Sequence, residues 1–127
     1  MLANSLNPSL YNEWLEHVKA PDVKDAFVFL VGSAATMMEL TCHAQFKGVI
    51  RDFRFLNTRN EQLFSFIVNR KWLLFYFRPP SVRSGRYQFH DVQSRFPDSN
   101  ENRRGEWTMR LRSVEDVRKL ITYLKVQ

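Results

Sequence analysis

Trp72-Leu73-Leu74-Phe75-Tyr76-Phe77 is six residues long and has no polar side. In an extended chain Trp72, Leu74 and Tyr76 point one way and Leu73, Phe75 and Phe77 the other. Such a segment must be a central strand covered on both sides, or a strand with one face left for a partner. Leu63 to Val68 precedes it across Asn69-Arg70-Lys71, a spacing suited to a β-hairpin with a short loop. Arg78 closes the run, and Pro79-Pro80 ends the strand because proline cannot donate to a ladder.

A second strand signal is cleaner. In Glu106 to Arg112, Trp107, Met109 and Leu111 alternate with Thr108, Arg110 and Arg112, so one side is apolar and the other polar. Phe46 to Leu56, with Val49, Ile50, Phe53 and Phe55, reads as one further strand with a bulge near Gly48.

Helical spacing appears elsewhere. Tyr11, Trp14, Leu15 and Val18 repeat at i, i+3, i+4, i+7 behind Asn7-Pro8, which has the order of an N-cap and a first helical residue. That helix is expected to run to Ala20, where Pro21 disfavours helical geometry. Asp22 is expected to cap a second helix carrying Phe27, Leu30, Val31 and Ala34. Val28, Phe29, Met37 and Met38 on its other faces predict burial on most sides. Tyr87 to Phe96 and Ser113 to Lys125 complete the helices, with Ser113 and Asp116 placed as a capping box. Pro97 to Gly105 reads as a mobile polar loop.

Together these predict one α+β domain over residues 1–127. Its sheet is predominantly antiparallel, with about four strands, two N-terminal helices, one inserted helix and a C-terminal helix packed on it. Residues 1–43 are expected to be helical and 44–127 rich in strands. The longest uncharged run, Ala26 to Met38, is too short for the roughly twenty apolar residues of a membrane span. Met1 to Lys19 has no secretory-signal pattern, and the single Cys42 suits a reducing compartment, so a cytoplasmic protein is expected.

Charge follows the same division. Of 19 basic and 13 acidic residues, residues 1–43 hold two and five, leaving 17 and eight for 44–127, a net charge of +9. Most of the excess is arginine, whose planar fork matches phosphate and carboxylate.

Catalytic patterns are sparse. Asp22-Val23-Lys24 has the carboxylate-x-lysine spacing of PD-(D/E)xK nucleases, but that element belongs on a strand, and Asp22 precedes a helix. His17, Cys42, His43 and His90 lack metal-ligand spacing, and no phosphate-binding or nucleophile motif occurs. No catalytic residue, metal or cofactor is assigned.

The expectation is a non-enzymatic nucleic-acid-binding domain, for DNA or RNA, making backbone contacts through Arg83, Arg86, Arg103, Arg104, Arg110 and Arg112. Tyr76 beside Arg78 is the aromatic chosen for contact. The alternative is a protein-binding module, such as an immunity protein, antitoxin or inhibitor, recognising an acidic partner. The basic surface can also be simply a solvated one.

Overall fold

The computed structural model describes residues 8–47 and 50–126. Two helices, α1 (Pro8–His17) and α2 (Pro21–Ala35), lead into four consecutive strands: β1 (Thr41–Lys47), β2 (Ile50–Leu56), β3 (Gln62–Val68) and β4 (Leu73–Phe77). Two short helices, α3 (Pro79–Arg83) and α4 (Phe89–Arg95), precede β5 (Asn100–Arg103), β6 (Glu106–Leu111) and α5 (Val114–Val126). All strand pairings are antiparallel, in the order β1-β2-β3-β4-β6-β5. The α+β class and antiparallel sheet stand as expected, but the sheet has six strands rather than about four.

The two extra strands have different origins. Thr41–Lys47 pairs residue for residue with Ile50–Leu56, so the single strand expected over 46–56 is two arms of a hairpin. The hairpin also ends the N-terminal helical region before residue 43. The bulge expected near Gly48 and the cap expected at Asn7 lie outside the described residues. At the opposite edge, Asn100–Arg103 forms a fully exposed strand where a loop was expected. It is held by the edge of β6, with a register shift between Glu101 and Arg103. Gly105 supplies the left-handed backbone of the turn between them, φ 76°.

Cross-strand rows explain why the sheet has two unlike faces. Phe53, Phe66, Phe75 and Met109 are successive partners across β2, β3, β4 and β6, and Phe55, Phe64, Phe77 and Trp107 lie on the same face. All eight are buried. Trp14 of α1 meets Phe53 edge-on at 5.0 Å, and Phe27 of α2 lies 5.9 Å from Phe53. Tyr87 touches Phe64, Phe77 and Tyr123 of α5. Full burial of each such side chain stabilises the fold by about 1.5–3 kcal/mol before entropy is counted.

Several helix expectations are corrected. α1 stops at His17, and Lys19 N–H then donates to the Arg70 carbonyl at 2.8 Å, tying the chain to the β3–β4 loop. Ala20, extended before Pro21, occupies the N-cap of α2, so Asp22 lies in the first turn and caps nothing. α2 buries one stripe, Val23, Ala26, Phe27, Leu30, Val31 and Ala34, whereas Val28 is 47% exposed. Its far side faces solvent. The inserted helix expected over Tyr87 to Phe96 is the shorter α4, and α3 is a further short helix directly after β4, where none was expected.

At α5 the Asp116 N–H donates to Ser113 Oγ at 3.1 Å. The Asp116 carboxylate accepts from Arg112 N–H at 2.9 Å, one residue earlier than in a standard capping box. Among the described residues no helix is long and apolar enough to cross a membrane.

Candidate nucleic-acid interface

Side chains that alternate with the phenylalanines form the second sheet face. Asp52, Ile67, Leu74 and Arg110 are successive partners across β2, β3, β4 and β6, and Arg54, Ser65, Tyr76, Thr108 and Asn100 make the next row across to β5. A groove of about 380 Å³ crosses this face, lined by Asp52, Arg54, Ser65, Tyr76, Arg78 and Glu106 among others. Tyr76, Leu74, Ile67 and Trp72 are only half-buried. The two-sided apolar run of β4 is thus a central strand whose second face remains accessible.

The end of the groove near Glu106 is a network of ion pairs. Glu106, only 2% exposed, accepts from Arg78 Nη1 at 2.7 Å and from Asn102 Nδ2 at 2.8 Å. Arg103 Nε approaches it at 3.3 Å. Arg54 Nε donates to Asp52 at 2.7 Å. Three guanidiniums therefore face two carboxylates, leaving a net charge of +1 along this stretch. The Arg78 guanidinium lies 5.7 Å from the Tyr76 ring centroid, and its buried Nε has no hydrogen-bond partner among the described residues. Burial, reinforced by Glu106, holds the Tyr76 phenol above its ordinary range against the pull of Arg78, so it stays a neutral donor.

Cations without a carboxylate partner lie outside this groove, around the β3–β4 loop. Arg110 stacks its guanidinium on the Trp72 ring at 4.4 Å. Arg70 and Lys71 precede Trp72 in the exposed β3–β4 loop, and Lys19 is fastened to that loop through its backbone. Burial, then the positive charge of Arg51, Arg70 and Lys19, push the His17 pKa below its ordinary value. Among the described residues Lys19, Arg70, Lys71 and Arg110 form no ion pair with a carboxylate.

The six arginines named from the sequence do not form one patch. Arg110 is on the accessible face, and Arg103 reaches the groove but is held by Glu106. Arg112 follows β6 and pairs with Asp98 at 3.2 Å. Arg83 and Arg86 line a separate depression beside the β2–β3 turn, and Arg104 is exposed next to Gly105. Tyr76 and Arg78 do lie together, as chosen.

Sequence reasoning passed over Arg70, Lys71 and Lys19. The first two had a signal, two cations in a hairpin loop immediately before a tryptophan. Lys19 had none, because only the contact between residues 19 and 70 brings it there.

Candidate chemistry is limited elsewhere. Among the described residues no group of three or more His, Cys, Asp or Glu side chains is placed to hold a metal ion. Cys42 is buried and its thiol is pushed up to about 12 by burial, which makes it a poor nucleophile. No protein-family model, curated protein or solved structure matches this chain.

Proposed function

We propose that this chain is a nucleic-acid-binding domain that lays a single strand across the accessible sheet face. The observation carrying this reading is the stripe Trp72-Leu74-Tyr76, with one aromatic under Arg110 and the other beside Arg78. Strand rise separates the two rings by about 13 Å. Aromatic rings on an accessible sheet, flanked by cations, are what unpaired bases and their phosphates require. A duplex hides its base faces and would use only the charge.

Lys19, Arg70, Lys71 and Arg110 supply the phosphate contacts in this reading, replacing most of the arginines first expected to do so. The ion pairs around Glu106 contribute hydrogen-bonding groups and shape instead, because their charges nearly cancel.

Titration of a fluorescent oligonucleotide, as single-stranded RNA, single-stranded DNA and duplex DNA, tests this at several salt concentrations. Single strands should bind more tightly than duplex, with a logarithmic salt slope of about −0.7 per phosphate contacted. Lack of micromolar binding to any form at about 50 mM salt would refute the proposal.

A protein partner is the second reading, favoured by the near balance of charge around Glu106. Arginine and tyrosine in a groove suit a protein hot spot as well as a base. If affinity-purified protein retains a specific partner that Tyr76→Ala releases, and no nucleic acid binds, this reading replaces the first.

A further inference from the structure

A second cavity lies on the other side of the sheet, at one end of the layer between sheet and helices. It has a volume of about 490 Å³, within the usual range for small-molecule sites, and is walled by the end of α2, the β2–β3 turn, the start of β3, Tyr87 and the end of α5. Met37, Leu40, Phe64 and Tyr87 are the buried part of the lining, and Leu124 is a half-buried wall. Arg86, Lys125 and Glu39 are the exposed charged residues of the lining.

Two neighbouring features specify the ligand further. Behind Met37, Phe64 and Leu124 lies a wholly apolar gap of about 10 Å³, at the lower limit for one water. Methionine adapts readily to irregular space, so the end of an apolar chain can press toward this gap as Met37 shifts. On the outer side an adjoining depression shares Arg86 and Tyr87 with the cavity and adds Arg59, Arg83 and Glu61. Among the described residues that line the two hollows, four are cations (Arg59, Arg83, Arg86, Lys125) and two are carboxylates (Glu39, Glu61).

We propose that this cavity binds a small anionic amphiphile, an alkyl carboxylate of medium chain length. The chain fills the apolar interior and the carboxylate pairs with Arg86 and Lys125. The assignment is independent of the sheet-face reading, since it uses the other face of the sheet and different side chains.

Calorimetric titration with hexanoate, octanoate, octanol and octylammonium tests it, with amide shifts read by NMR to locate the site. Octanoate should bind about ten-fold more tightly than hexanoate, since each buried methylene is worth roughly three- to four-fold. Octanol should bind at least five-fold more weakly than octanoate and octylammonium not measurably. The shifts should centre on Thr36, Thr58 and Lys125. The double variant Arg86→Gln/Lys125→Gln should lose octanoate affinity about ten-fold while leaving octanol unchanged, and Thr58→Trp at the exposed rim should weaken both.

No octanoate binding at low millimolar concentration would overturn the proposal. Affinity independent of chain length, equal binding of octylammonium, or shifts centred elsewhere would do the same.

Discussion

Replacing Glu106 by glutamine isolates the ion-pair network that shapes one end of the accessible groove. Glutamine keeps the side-chain length and one acceptor oxygen, but presents an amide NH2 where the second carboxylate oxygen accepted. Either Arg78 Nη1, at 2.7 Å in the native protein, or Asn102 Nδ2, at 2.8 Å, then meets a donor. Arg78 is 25% exposed, so losing its charged partner should cost about 1.5–3 kcal/mol. Arg103 is 64% exposed and solvent screens it, so its share is below about 1 kcal/mol. The expected loss is about 2–4 kcal/mol, or roughly 6–15 °C in Tm for a domain of this size. Urea unfolding followed by circular dichroism would measure it, provided the m-value is unchanged. Arg78→Met in the Glu106→Gln background should cost less than in the native background, with a coupling of about 1–3 kcal/mol. A Glu106→Gln loss below about 0.5 kcal/mol, with no coupling, would refute the view that these charges hold each other in place.

Further outcomes test the core, the interface and the buried thiol. Phe66→Ala removes a ring contacting Phe27, Phe53 and Phe55 and should destabilise by about 3–5 kcal/mol in the same unfolding assay. Tyr76→Ala and Trp72→Ala should each weaken single-strand binding by about 1–3 kcal/mol with little change in the salt slope, whereas Arg70→Gln should lower that slope. Ser113→Ala removes the oxygen that caps α5 and should cost about 1 kcal/mol, seen as a lower urea midpoint. Burial raises the Cys42 pKa from 9.0 to about 12, so the folded state keeps a proton that the unfolded chain releases. That contribution is complete below pH 9 and is lost as pH rises toward 12. Stability should fall across this window, and less steeply in Cys42→Ala; an identical pH slope in the two proteins would contradict this cause.

Local order was legible wherever one face of an element had to be buried. The alternation of Glu106–Leu111 and the apolar stripe of α5 follow from periodicity, because a slip of one residue would expose tryptophan or leucine, whereas the β3–β4 hairpin follows from two apolar runs spaced by a short polar loop. Asn100–Arg103 carried no such signal. Its four residues are polar and exposed, and they form a strand only because β6 offers unpaired backbone groups beside them. β1 was hidden similarly, since its pairing with β2 is a relation between two segments rather than a property of either.

The candidate interface divides along the same line. Composition alone determined that the C-terminal two-thirds would be strongly basic, and alternation alone put Trp72 and Tyr76 on one side of their strand. Which cations remain unneutralised was a tertiary decision. Asp98 and Glu106 reach Arg112 and Arg103, while the contact between Lys19 and Arg70 joins the acidic N-terminal region to the basic loop. Coulomb interactions depend on distance through space, and only the folded chain sets those distances.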